Sequence, residues 1–387
     1  MTHHTPEERF ALDQSTRPVP GSNGKRGESL LASYPRSWYP LCRSGDLRRG
    51  HVIRRQALGQ SLAIFRTAQN QVAALAARCP HMGADLARGA VVGERLRCPL
   101  HQWEYNRAGV CERIPDQAAI PAQARTPALV CEERYGIVFA FFGGCPAFAF
   151  PAFAAQRATG GSPNEPLTGL VHSTPSVTTV RSPAAVLAAN SFDGQHFATV
   201  HGRQLIEPAV TSSAAAEHLA IRYRARVAGQ QLNDRLLRLL GIDTVAIDIH
   251  CWGGNLLQVY NQRTPYLILV AILPVDEHRA QVFITIARKR SSGGLGALAQ
   301  RIELPVAHWL TAAFLKPDLA VLEGVKLEPG VLLADKDACF LAWLRYWNRL
   351  APIQASGAGS DPLWLQHRAT GAASHLETAR DSIGWTP

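Results

Sequence analysis

Cys79-Pro80-His81-Met82-Gly83-Ala84 and, after 16 residues intervening between His81 and Cys98, Cys98-Pro99-Leu100-His101-Gln102-Trp103 are the stretches that organise this chain. Each half sets one thiol and one imidazole a few residues apart, so a single tight loop presents both to one centre. Pro and Gly beside the ligating types suit such loops, because they fix or free the backbone where it must curl. Two thiolates on one iron and two imidazoles on the other make a two-iron, two-sulfur cluster whose potential lies far above that of an all-cysteine ferredoxin. A zinc site draws on the same donors. Zinc sites, however, favour a Cys-x-x-Cys pair joined to a His pair, whereas each half here mixes Cys with His.

The two halves resemble the Rieske domain of ring-hydroxylating and related non-haem iron oxygenases. Leu100 and Gln102 stand where many relatives carry an aromatic and a Gly, and neither supplies a ligand side chain. The resemblance implies a [2Fe-2S] cluster on Cys79, His81, Cys98 and His101. A cluster domain by itself only carries electrons, so a second metal site decides the class.

Asn190-Ser191-Phe192-Asp193-Gly194-Gln195-His196-Phe197-Ala198-Thr199-Val200-His201-Gly202 offers one. Two imidazoles and a carboxylate lie in an Ala-rich segment that reads as helix over 186–200. Asp193 and His196, three apart, share a helical face. His196 and His201, five apart, point about 140° away from each other on a regular helix. Both reach one metal only if the helix kinks, bulges or ends between them. Two His and one carboxylate with open positions form the facial triad of oxygen-activating Fe(II) enzymes.

The segment resembles the iron-binding signature of Rieske oxygenases, in the form found in the steroid and sterol branch and the pyrrolnitrin-type arylamine oxygenases. That resemblance implies His196 and His201 as iron ligands. It also implies Asp193 as a carboxylate bridging to a cluster histidine of a neighbouring subunit, and Asn190 near the metal without binding it. The third ligand is expected among Asp318, Glu323, Glu328, Asp335 and Asp337. Asp318 is favoured, because Pro317 precedes it and an apolar, helix-like run follows. The later Trp343-Leu344-Arg345-Tyr346-Trp347 keeps the order seen in the relatives, although Leu322 replaces their usual Trp.

Bulk properties agree with a reduced, cytoplasmic enzyme. The chain has 387 residues, 47% of them hydrophobic and 18% charged, enough for two domains. The six cysteines outside the motif follow no disulfide spacing. The first 30 residues are polar, so neither a secretory signal nor a membrane anchor is expected. The apolar run 135–153 is cut by Gly143, Gly144, Pro146 and Pro151 and does not read as a span. A net charge of +10 carries no nucleic-acid motif with it. It suits instead an acidic electron donor, a ferredoxin or its reductase fed by NAD(P)H.

The expected fold class is α+β. It comprises a flexible arm (1–34), an antiparallel-β Rieske domain (35–145), a mononuclear-iron domain (146–355) and a peripheral tail (356–387). Strands are expected over 61–65, 72–75, 95–97, 110–114, 135–142, 246–260 and 267–289, with helices over 311–325 and 338–350. The resemblance adds a helix-grip (START-like) catalytic domain and a head-to-tail homotrimer. It also implies monooxygenation of a bulky, largely apolar ring compound such as a steroid or an aromatic natural-product intermediate. N-oxygenation, oxidative demethylation and desaturation use the same constellation. From another class, a Rieske electron carrier without the second iron remains the competing reading.

Overall fold

The computed structural model describes residues 34–154, 167–207, 209–230, 232–261, 264–326, 331–333 and 336–353. The arm at 1–33 and the tail from 354 onward lie outside the described residues, as do Glu328 and Asp335.

The N-terminal half is built of three small antiparallel sheets. Strands Ser37–Arg43, Ile137–Phe142 and Cys131–Arg134 form one, and Val52–Ala57, Gln60–Arg66, Val72–Ala76 and Ala128–Leu129 form the second. Ala90–Val92, Arg95–Arg97, Glu104–Tyr105 and Cys111–Arg113 form the third. The Cys98 loop is the tip of the third sheet's central hairpin, where Leu96 pairs with Tyr105.

The C-terminal half is one antiparallel sheet of nine strands among the described residues. Its main order is Leu170–His172, Arg279–Lys289, Leu267–Asp276, Leu256–Asn261, Thr244–Trp252, His218–Val227 and Arg203–Leu205, with Ser176–Val180 and Val210–Ser212 pairing alongside. Period-two alternation gives the sheet two apolar faces. Leu256, Tyr260, Leu269 and Phe283 on one face join Phe139 and Phe141 of the N-terminal half in a shared core. Ile221, Tyr223, Ile249, Leu257 and Ile284 on the other face join the helices.

Five helices complete the described chain: α1 (Ala184–Ala189), α2 (Gly194–Thr199), α3 (Leu232–Leu239), α4 (Gly294–Val321) and α5 (Ala338–Arg349). The expected single helix over 186–200 is two short helices, joined by a 3-10 turn at Asn190–Phe192. The largest departure from expectation is α4. It begins at Gly294, not near residue 311, and both Pro305 and Pro317 lie inside it. Proline lacks the N–H of an interior turn and usually stops a helix there. Here the neighbourhood holds it. Gln300 accepts from Ser291 N–H and donates to Lys289 O, and His308 hydrogen-bonds Ser173 Oγ at 2.8 Å, pinning the helix to the sheet. Asp318 therefore sits in the last turn of a long helix and does not open a new one. No described helix is long and apolar enough to cross a membrane.

Candidate metal centres

The two ligand loops of the N-terminal half repeat one turn. Cys79 N–H donates to Ala84 O (2.8 Å) and Gly83 N–H to Cys79 O (2.8 Å); Cys98 N–H donates to Trp103 O (2.8 Å) and Gln102 N–H to Cys98 O (3.2 Å). The residue four after each Cys takes a positive φ, +73° at Gly83 and +59° at Gln102. Gln102 thus accepts a left-handed backbone that a Gly would adopt without strain.

Cys79 and Cys98 are buried, while His81 and His101 reach solvent with ring centroids 4.6 Å apart. Trp103 stacks on His81 at 4.4 Å with the planes 7° apart, which fixes that imidazole's orientation. Tyr105 Oη lies 3.1 Å from Cys79 Sγ. Between Trp103 and Tyr105, the fully buried Glu104 is ion-paired with Arg95, Arg97 and Arg113, each at 2.9 Å. Burial pushes the Glu104 carboxyl up, but hydrogen bonds from Arg97 and Arg113 outweigh it and hold the group below the usual range. A buried carboxylate is tolerable only with such partners, and here they clamp the ligand hairpin.

The second constellation is assembled from distant parts. Asp193 is the N-cap of α2, accepting from the backbone N–H of Gln195 (2.9 Å) and His196 (3.0 Å). That cap starts a new helix axis and aims His196 inward. The helix then ends at Thr199, so His201 is released from the helical angle and turns back toward His196. Gly202 makes the reversal possible: its φ is +59°, and a Cβ there would stand 2.4 Å from Gly229 Cα.

Asp318 closes the group. Its Oδ1 is 2.7 Å from His201 Nε2 and 3.1 Å from His196 Nε2, all three residues being buried. The ligand atoms of His196, His201 and Asp318 lie within 4.8 Å of one another. Burial pushes the Asp318 carboxyl up, yet the hydrogen bonds to His196 and His201 win and leave it lowered. Asn190 Nδ2 approaches His196 Nε2 at 3.0 Å, beside the group and outside it.

The donor set fits a divalent cation. One carboxylate oxygen faces two imidazole nitrogens, an arrangement that without a metal needs a proton on each Nε2. Buried, borderline N and O donors in this number suit ferrous iron. The other described acids point elsewhere: Glu323 pairs with Arg181 at the surface, and Asp337 accepts from Gln195 Nε2 and Leu333 N–H.

Residues 37–145 match the Rieske [2Fe-2S] domain family. The chain carries a Rieske domain. A domain of this family carries a [2Fe-2S] cluster, and the zinc alternative falls. Cholesterol 7-desaturase nvd 1 of Ciona intestinalis is 37% identical over 119 residues, 30% of this chain but only 25% of that protein's length. Aminopyrrolnitrin oxygenase PrnD of Pseudomonas fluorescens is 24% identical over 87% of this chain and 96% of its own. Among solved structures, dicamba monooxygenase bound to dicamba superimposes with a TM-score of 0.60 at 19% identity, covering 82% of this chain and 99% of that one. The described fold is thus that of the Rieske oxygenases.

Several neighbours of the Rieske chain's two centres went unassigned in the sequence. Tyr105 and the Glu104 clamp carried no signal beyond proximity to the motif. Phe314, stacked on His201 at 4.2 Å and 19°, has one: it lies four residues before Asp318, on the same helical face.

Proposed function

We propose that this chain is the oxygenase component of a Rieske system that uses O2 and externally supplied electrons to monooxygenate a bulky, largely apolar ring compound. One observation carries the reading: His196 and Asp318, 122 residues apart in sequence, meet with His201 at one buried point. A pure electron carrier has no use for that second donor set. His196, His201 and Asp318 would hold ferrous iron, which would supply reductive O2 activation, and Cys79, His81, Cys98 and His101 would hold the cluster that delivers electrons one at a time. With two electrons from the donor and two protons, one oxygen atom of O2 would enter the substrate and the other would leave as water.

The sheet supports an apolar substrate. Ile221, Ile249, Val259, Ile268 and Ile286 stand directly opposite one another across five strands, a purely aliphatic row on the face toward α4. Val259 and Ile268 in that row are only half-buried, which leaves apolar surface for a ring system. Relatives whose names include cholesterol desaturation and aminopyrrolnitrin oxygenation agree with such a compound. Desaturation, N-oxygenation and oxidative demethylation draw on the same centre.

The electron donor is a ferredoxin or its reductase. Residues 37–145 hold 14 arginines, no lysine and 8 acidic residues, a basic surface that steers an acidic partner. The exposed His81 and His101 suit a head-to-tail trimer in which one subunit's cluster faces the next subunit's iron, with Asp193 as the bridging carboxylate. Asn at 193 keeps a side-chain oxygen for the α2 cap and removes the charge. Asp193→Asn is therefore expected to retain folding and both metals while losing turnover; full activity would defeat the bridging role.

The decisive experiment supplies a surrogate reductase, labelled O2, and steroid, indolic and arylamine substrates to iron-loaded protein. A product carrying one labelled oxygen atom is expected. Protein that holds only about two irons per chain after loading and consumes no O2 with any of them would return the reading to an electron carrier.

A further inference from the structure

Behind the second centre lies a buried ion pair that the proposed chemistry does not use. Arg203 and Asp234 are 3% and 0% exposed and paired with each other. The same Arg203 Nη1 donates to the backbone carbonyl of His201 at 3.2 Å. Its guanidinium carbon stands 5.4 Å from the Phe314 ring centroid, and that ring is the one stacked on the His201 imidazole. One cation thus touches His201 twice, directly through its main chain and indirectly through the ring lying against its side chain.

The surrounding backbone is shaped to keep the pair in place. A Cβ at Gly229 would stand 2.2 Å from Asp234 Oδ2 and 3.0 Å from His201 O. Ala228 N–H donates to Gly202 O at 3.0 Å, and Arg238 Nη1 donates to Gly229 O at 2.7 Å. The His201–Arg203 turn, the strand after it and the base of α3 form one close-packed unit around the guanidinium.

We propose that Arg203, held by Asp234, is a positioning residue that fixes the orientation of the His201 imidazole toward the iron. His201 needs such support. Among the described residues its Nδ1 is buried with no hydrogen-bond partner, so the usual outer hydrogen bond that orients a metal-bound histidine has no counterpart on this ring. The Phe314 stack and the clamp on the carbonyl take over that task. The inference rests on the reading of His196, His201 and Asp318 as an iron site and adds a residue outside that set.

The test compares ferrous iron release to a chelator, and the paramagnetic spectrum of the nitric oxide adduct, in iron-loaded full-length wild type and variants. Arg203→Met combined with Asp234→Asn removes both charges together, so no lone buried ion is left. Its [2Fe-2S] spectrum should match wild type, while iron release accelerates about 10- to 100-fold, the effect of losing an outer-shell orienter, and the nitrosyl signal changes rhombicity. Phe314→Leu, at a half-buried position, should shift both readouts in the same direction and decides the matter if the double variant does not fold. Wild-type release and an unchanged nitrosyl signal in a folded variant overturn the role of Arg203. Wild type that takes up no ferrous iron beyond the cluster overturns the iron-site reading itself, which is a separate failure.

Discussion

Cys79 and Cys98 are 19 residues apart and belong to two copies of the same short turn, whereas His196 and Asp318 are 122 residues apart and belong to a broken helix and a long one. The first region depends on local hydrogen bonds, a stacked Trp103 and the Glu104 clamp, all within 79–113. The second depends on α4 being laid across a nine-stranded sheet and on a backbone reversal at Gly202. A centre made of turns tolerates damage elsewhere in the molecule. One made of packing does not.

The largest expected effects separate the two regions by metal content. Asp318→Ala should lower iron from about three to about two atoms per chain, with the cluster's visible absorption and rhombic paramagnetic signal retained. Cys98→Ala should do the reverse, leaving about one iron and no cluster signal. Iron analysis and low-temperature spectroscopy of the two variants decide it. If Cys98→Ala also empties the second centre, the regions are coupled in folding and the contrast fails.

The same contrast explains what could be read from residues alone. The two tight loops at Cys79 and Cys98 were legible because residue type, spacing and turn chemistry sit in one short window. The expected strands at 61–65, 72–75 and 95–97 were also found, for the same local reason. Asp318 was legible only by its order relative to the histidines, and the physical argument attached to it failed: Pro317 does not open a helix, because tertiary contacts at Gln300 and His308 carry α4 through two prolines. Strand His218–Val227 escaped notice although Ile221-Arg222-Tyr223-Arg224-Ala225-Arg226-Val227 alternates strictly, a signal that period counting would have caught. Arg203 and Asp234 left no such trace. A buried ion pair between residues 31 apart is visible only after the chain has folded.

Between the regions runs the seam where the large sheet meets the Rieske domain, and it supplies the next effect. His218 accepts from Ala214 N–H through Nδ1 (3.0 Å), so its proton sits on Nε2 and points at His250 Nδ1 (3.0 Å). A second proton on Nδ1 would set two N–H groups against each other. Burial, then the neighbouring His250, pushes the His218 pKa down to about 4. The unfolded chain, with His near 6.5, takes up the proton first as pH falls. The stabilisation is complete above about 6.5 and is lost progressively toward pH 4, amounting to about 3 kcal/mol in all. Denaturant titrations between pH 7.5 and 4.5 should show this slope in wild type and a shallower one in His218→Gln. Equal slopes would mean that His218 does not hold the sheet side of the seam.

The smallest effect belongs to the tip and tests whether it is tuned as locally as it is built. Toward a cluster-bound Cys79 thiolate the Tyr105 hydroxyl, 3.1 Å away, would be the donor, and such a hydrogen bond favours the reduced cluster, which carries one more negative charge. Tyr105→Phe removes the hydroxyl and leaves the buried ring against Leu96, its partner in the hairpin. One such bond, about 1 kcal/mol, corresponds to about 45 mV for a one-electron couple. The reduction potential should fall by that amount, read from a redox titration of the rhombic signal. Iron release from the second centre should not change, because the hydroxyl contact of Tyr105 ends at Cys79 and its strand pairing at Leu96 and Cys111. A shift at the distant iron, or none at the cluster, would show that the tip's potential is set from outside its own two turns.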